Sequence, residues 1–296
     1  MNRVRPSSAA WLAAAALSLA TLVASSPSRG AEADTPYLAD RGTGVPTSMF
    51  GTYVRRGERL VYTFYEFTAN QDQEYKPAEL GFSNQHDFRA RRTDHEGLLF
   101  LAYGLGEDLL IEGESALVSA ATQDKAATDP SPQPARLHEQ GLGDTEGQLR
   151  WRVRRETARA PEVFASFEVV LPLQEDRRLI GTQAWELSPG IGLIKGTRWG
   201  TWTTRATASY TPGDGTFEWG ETSLEYLKRF TPRWRGVMSI EGEQDEWALI
   251  AEAQLHLSPR LVLKLNNGFG LTSKAPDLAP EVGLLFAFPR STAGGP

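Results

Sequence analysis

The chain has 296 residues, with 37 acidic against 31 basic side chains, a formal net charge of −6 and no cysteine. Disulfide staples, a lipidated amino-terminal cysteine and thiolate ligands or nucleophiles are thereby excluded, and the acid surplus argues against nucleic acid, which needs unbalanced Lys and Arg. Beyond the amino-terminal segment no apolar run reaches about eighteen residues, so a membrane helix is excluded on length.

Residues 1–33 read as an export signal. Arg3 and Arg5 form its basic start, an apolar stretch runs from Ala10 to Ala24, and small residues follow, with cleavage after Ala33 or earlier near Ser25. Residues 34–58 carry Gly42-Thr43-Gly44 and Gly51 without the Gly-Lys-Ser/Thr ending of a phosphate loop. They are expected to form a flexible periplasmic arm leading into the first strand.

From residue 59 onward the signal is period-two alternation in segments of about ten residues bounded by turn formers. Strands are expected at 59–69, 95–105, 108–120, 144–156, 161–173, 182–195, 198–211, 215–229, 233–244, 246–257, 260–271 and 278–288. In the fourth, Leu149, Trp151 and Val153 share one face and Arg150, Arg152 and Arg154 the other. In the fifth, Val163, Ala165, Phe167 and Val169 oppose Glu162, Ser166 and Glu168. In the tenth, Leu249, Ala251, Ala253 and Leu255 oppose Glu252, Gln254 and His256.

The first, third and fifth connections (70–94, 121–143 and 174–181) are long or polar and are expected outside the cell; 121–143, rich in Pro, Ala and Asp, is expected to be flexible. The even ones are short. Two aromatic girdles follow, with Trp199, Tyr226, Phe230, Trp234 and Phe288 at one end and Trp185, Tyr210, Phe217, Trp219, Trp247 and Phe269 at the other. Residues 289–296 are expected to be a disordered tail. The fold class is therefore all-β, a closed antiparallel up-and-down transmembrane β-barrel of about twelve strands over 59–288, in the bacterial outer membrane. The competing reading is a soluble β-sandwich or lipocalin-like barrel, in which the apolar faces would point inward.

With lipid outside, the opposite faces line the lumen. Glu112 and Glu114, then Arg150, Arg152 and Arg154, then Glu162 and Glu168 form acid, base and acid columns on sequential strands, and an ion-pair ladder is expected between them. Glu186, Arg205, Glu221, Glu225, Glu241, Glu243, Glu252, His256, Lys264 and Glu281 continue round as a mostly acidic wall. Opposite charges held apart set a transverse field in a water-filled pore; the alternative is that they pair and fill the barrel.

Enzymatic signals are thin. No histidine stands at ligand spacing on a metal template, and Ser258, two residues after His256, reads as turn chemistry ahead of Pro259. No catalytic, cofactor-binding or metal-binding residue and no cofactor is expected. The expected partners are outer-membrane lipid and small-molecule solutes, not nucleic acid.

Asp40-Arg41-Gly42-Thr43-Gly44-Val45-Pro46-Thr47-Ser48-Met49-Phe50-Gly51-Thr52-Tyr53 leads into Leu60-Val61-Tyr62-Thr63-Phe64-Tyr65-Glu66-Phe67, with Gly143-Asp144 downstream and a barrel ending at Phe288. In this organisation the chain resembles the outer-membrane proteins grouped with the MetA pathway of phenol degradation. The resemblance implies a transporter of small hydrophobic or aromatic compounds; no functional residue carries over by position. A structural or partner-binding barrel without an open pore, and an outer-membrane lipid hydrolase using His256 and Ser258, are the other functional readings.

Overall fold

A computed structural model describes residues 40–213 and 215–289; the expected export signal and residues 290–296 lie outside them. A two-stranded hairpin, β1 (Val45–Pro46) and β2 (Tyr53–Val54), precedes thirteen strand segments: β3 (Arg59–Tyr75), β4 (Phe88–Gly104), β5 (Leu109–Asp124), β6 (Arg136–Gly141), β7 (Thr145–Arg154), β8 (Glu162–Val170), β9 (Glu186–Thr197), β10 (Gly200–Thr211), β11 (Thr216–Arg229), β12 (Trp234–Glu243), β13 (Glu246–Ser258), β14 (Leu261–Gly270) and β15 (Ala279–Phe288). Among the described residues there is no helix.

Both β6 and β7 pair with β5, above and below a break at residues 142–144, so they share one place in the wall. Every pairing is antiparallel between neighbours, and β15 pairs back to β3. The result is a closed twelve-stranded barrel. Closure leaves no free edge, which a sheet surrounded by hydrocarbon requires because lipid supplies no hydrogen bonds.

The side chains are sorted inside out. Along β7, Leu149, Trp151 and Val153 are 43 %, 54 % and 50 % exposed, while Arg150 and Arg152 between them are 2 % and 8 % exposed. On β13 to β15, Leu249, Leu263 and Leu284 lie on the partly exposed outer face, and Glu252, Lys264 and Glu281 are buried. A soluble sandwich would show the opposite. Trp199, Phe230, Trp234 and Phe288 near one end, and Trp185, Phe217, Trp219 and Phe269 near the other, are all exposed, as two headgroup-level belts require.

Two connections are shorter than their sequence suggests. β3 and β4 stay paired up to Tyr75↔Phe88, leaving 76–87 rather than 70–94. β5 reaches Asp124 and pairs with β6, leaving 125–135 rather than 121–143. Residues 70–75 (Asn-Gln-Asp-Gln-Glu-Tyr) lack an apolar outer face because the outward ones, such as Gln71 and Asp72, meet water instead of lipid, while Asn70 and Tyr75 are buried against the connections at this end. Alternation therefore stops while the hydrogen-bond ladder continues.

The segment expected to be flexible is packed. Tyr75, Leu80, Ala121, Leu179 and Ile180 form a buried cluster at this end, with Phe82, Phe88 and Leu137 against it. The Tyr75 hydroxyl donates to Asp129 at 3.0 Å and accepts from the Ala126 N–H at 2.9 Å, while Glu139 accepts from the Arg178 and Leu179 N–H groups, each at 2.8 Å. At the opposite end the connections are 105–108, 155–161, 198–199, 230–233 and 259–260.

Candidate functional site: the barrel interior

At the short-turn end the interior is filled by the arm. Residues 40–58 do not trail away from the barrel; they turn into it. The hairpin is closed by the Thr47 N–H donating to Thr52 O (2.8 Å) and the Thr52 N–H to Met49 O (3.2 Å), with Gly51 at φ 59° taking the left-handed conformation the turn needs. Val45, Met49 and Val54 are fully buried against inward side chains of the wall: Leu60, Tyr62 and Phe64 of β3, Leu98, Phe100 and Ala102 of β4, and Leu285 and Ala287 of β15. Phe50 packs on Leu227 and Val237, and Tyr53 on Phe164 and Ile194.

A two-residue pairing cannot satisfy the arm's backbone, so wall side chains do so. The Ser48 N–H donates to both Glu112 oxygens at 2.9 and 3.0 Å. Arg152 donates to Gly44 O, Arg235 to Asp40 O at 2.9 Å, and Asp40 accepts the Arg229 N–H at 3.0 Å. Arg41 forms ion pairs with Glu156 and Glu162, the latter at 2.8 Å, and lies over the Tyr53 ring. Burial alone would lower the Arg41 pKa; Tyr53, Glu162 and Glu156 outweigh it and hold the guanidinium above its ordinary value. Where the arm crosses β4, a Cβ on Gly104 would overlap Arg55 O, and the absence of one allows the Gly57 N–H to reach Gly104 O at 2.8 Å.

Farther along the same strands the inward positions change chemistry. Tyr62 and Phe64 give way to Glu66 on β3, Leu98 to Glu96 on β4, and Leu110 to Glu112 and Glu114 on β5. Glu281 accepts from the Tyr62 hydroxyl at 2.5 Å and from Asn266 at 3.1 Å, Glu96 from Ser119 at 2.6 Å, and Glu186 from Ser209 at 2.5 Å. Arg205 pairs with Glu221; Lys264 stands 3.7 Å from Glu252, in ion-pair range but beyond a hydrogen bond. Several buried carboxylate oxygens have no protein partner: Glu66 Oε2, Glu225 Oε1, Glu252 Oε2 and both oxygens of Glu241. In a dry interior each would cost several kcal/mol.

Of the expected acid, base and acid ladder only one long rung forms, Arg152 to Glu162 at 3.9 Å. Register places Arg150 opposite Leu110 and Ser166, and Arg152 opposite Phe164. Arg150 instead lies over the Phe164 ring, 4.5 Å from its centre, and donates to Gln148 at 3.1 Å; Glu112 and Arg152 serve the arm. Arg152 also reaches Asp108 at 2.7 Å and Glu162 at 3.9 Å. Between arm and wall a small cavity of about 20 Å³ remains, lined by Thr47, Phe50, Tyr53, Arg150, Arg205 and Glu225 among others.

No family model and no curated protein matches the chain. Among solved structures it is similar to the COG4313 outer membrane channel from Pseudomonas putida F1, with 12% identity, TM-score 0.55, and 79% of this chain and 97% of that chain covered. The KdgM porin aligns at 8% identity and TM-score 0.48 over 77% of this chain and 99% of its own, and the CymD monoaromatic hydrocarbon channel at 8% and 0.38 over 79% and 89%. The fold is that of an outer-membrane barrel. With its greasy exterior and ionised interior, the chain belongs in the bacterial outer membrane.

Of the remaining residues singled out in the sequence, Glu114, Glu225, Glu241, Glu252, His256, Lys264 and Glu281 are buried among the inward side chains, and Glu168 and Glu186 are half-buried on the same face. Arg154 is exposed. A bulge between Arg152 and Arg154 shifts the β7–β8 register, and its Nε donates to Pro161 O at 3.3 Å at the rim. His256 and Ser258 do not converge: the imidazole is buried, whereas Ser258 is exposed and accepts the Arg260 N–H at 3.2 Å. No group of three or more His, Asp or Glu among the described residues could hold a metal ion.

Sequence reasoning missed the apolar part of the interior and its occupant. A signal was present. Leu60-Val61-Tyr62-Thr63-Phe64-Tyr65, Leu98-Leu99-Phe100-Leu101-Ala102 and Leu284-Leu285-Phe286-Ala287 are near-continuous apolar runs, the pattern of strands covered on both faces.

Proposed function

We propose that the chain is an outer-membrane uptake channel for small molecules, with hydrophobic or aromatic compounds as its substrate class and the arm as an internal plug. The observation that carries this reading is the unpartnered buried carboxylate set around Glu241, beside an apolar wall. Buried carboxyl groups without protein partners are tolerated where bound water supplies the missing hydrogen bonds; on this reading the carboxyl tract is a hydrated path, and the adjoining apolar wall offers a surface for the ring or chain of a solute. The similarity to a protein described as an outer membrane channel agrees with this.

The extent of the plug favours a second reading, a closed barrel with a structural or partner-binding role. Planar-bilayer recordings separate the two. Wild-type protein is expected to conduct weakly, removal of residues 40–56 to raise conductance severalfold, and Arg150→Glu with Arg205→Glu in the opened barrel to shift selectivity toward cations. A folded variant lacking the arm that stays silent would sink the channel reading and leave the closed one.

A further inference from the structure

The two ends of the barrel treat their arginines and lysines differently. At the long-loop end most cations are paired, Arg89 with Asp72 and Glu74, Arg92 with Asp94, Arg136 with Asp124, Lys76 with Asp87, and Lys274 with Asp245, while Arg91 and Arg177 are exposed without an ion pair among the described residues. At the short-turn end Arg56, Arg59, Arg154, Arg159, Arg198, Arg233 and Arg260 are exposed and, among the described residues, make no ion pair. The acids there are mostly engaged, Glu58 by Arg55, Asp108 by Arg152 and Arg155, and Glu156 by Arg41 and Lys195. Among the described acids at this end, Glu107 is exposed without an ion pair.

Four of these arginines stand beside outward apolar side chains. Arg59 is opposite the exposed Phe288 in the β3–β15 register, Arg154 follows Val153, Arg198 lies over the Trp199 ring at 4.4 Å, and Arg233 precedes Trp234. Each is a long cationic side chain beside an outward apolar one, the arrangement in which the stem lies along hydrocarbon and the head meets headgroup phosphate. Seven unneutralised guanidinium groups in one ring would repel one another and gain most from an anionic surface.

We propose that the short-turn rim is a binding surface for anionic phospholipid headgroups, the phospholipid leaflet facing the periplasm being the source. The leaflet assignment rests on the outer-membrane placement and on short turns facing the periplasm; it does not require that the barrel conducts. Phosphate oxygens match the guanidinium fork, and the ring spreads the sites around the circumference instead of forming one pocket.

The test uses the mature protein in vesicles of phosphatidylethanolamine with and without phosphatidylglycerol and cardiolipin, with retained lipids counted by native mass spectrometry. Heat-modifiable gel mobility confirms folding of each variant. Wild-type protein is expected to retain anionic lipid in preference to phosphatidylethanolamine, with retention falling by about fivefold per arginine removed in a series of Arg59→Gln, Arg154→Gln, Arg198→Gln and Arg233→Gln. The matching lysine series should keep most of it, and Arg89→Gln with Arg136→Gln should change nothing. Equal retention of neutral and anionic lipid, undiminished binding by the folded glutamine variants, or a rim that selects lipopolysaccharide phosphate over phospholipid would each overturn the proposal. A barrel that conducts yet shows no such preference refutes this inference alone, and a silent barrel that shows it refutes only the channel reading.

Discussion

Glu112 shows how one inward carboxylate comes to hold the arm. Buried on β5, it takes the Ser48 N–H on both oxygens, a charge-assisted pair worth about 1.5–3 kcal/mol. Glu112→Ala is expected to loosen the arm by about that amount, and Glu112→Gln, which keeps one acceptor, by less. Amide exchange at Ser48 reads the difference; unchanged protection in the alanine variant would show that apolar packing alone seats the arm.

At the rim, burial by itself would raise the Asp108 pKa, and hydrogen bonds from Arg152 and Arg155 with their charges overcome it, so the carboxyl lies below its ordinary 3.8. A depressed carboxylate stabilises above its unfolded pKa and loses that contribution as pH falls through the folded one. The link from this turn to β7 should therefore be intact at neutral pH and fail only below about 4, and Asp108→Asn should remove that acid-sensitive step from an unfolding profile. A step that persists in Asp108→Asn belongs to another carboxylate.

At the scale of elements, the arm and β4 meet where neither tolerates extra volume. Gly104→Val is expected to push the 55–58 crossing off the wall at a cost of about 1–3 kcal/mol, breaking the Gly57 N–H to Gly104 O bond while leaving the sheet's own ladder intact. Protease access to the arm with unaltered heat-modifiability would verify this; loss of the folded barrel would mean that the arm is needed for closure. The strands themselves were legible wherever one face met lipid. On β7, β8 and β13 alternation was clean, whereas the polar tops of β3, β4 and β5 escaped notice because their outward side chains meet water instead of lipid and several inward ones, such as Asn70 and Gln123, are polar too, which erases the period.

For the whole molecule, the consequential quantity is which way each face points. Ile191, in the middle of β9, is 57 % exposed. Ile191→Arg is expected to cost about 2–4 kcal/mol if its position is at the bilayer midplane, measured as refolding yield and stability in vesicles. A neutral outcome at this site would contradict a lipid-facing exterior.

Much of the interior was also readable residue by residue. Arg150, Arg205, Glu225, Glu241 and Lys264 could be assigned to one face because a strand alternates with a period of two. What they do there could not. Whether Glu112 pairs with a neighbouring arginine or with a backbone amide depends on lateral register and on a segment some sixty residues away in the chain, and local periodicity carries neither.

The amino-acid order by itself therefore determined a sheet with one greasy face, its short turns and its rims of aromatic side chains, all consequences of interactions within about ten residues. Closure of β15 onto β3, the turning inward of residues 40–58 and the escape of Arg154 at a bulge were decided only in three dimensions. The physical reason is that a hydrophobic side chain gains by leaving water in any direction: Val45 and Met49 could serve lipid or lumen equally well, and only the assembled wall, with an apolar sector of matching size inside it, selects the lumen.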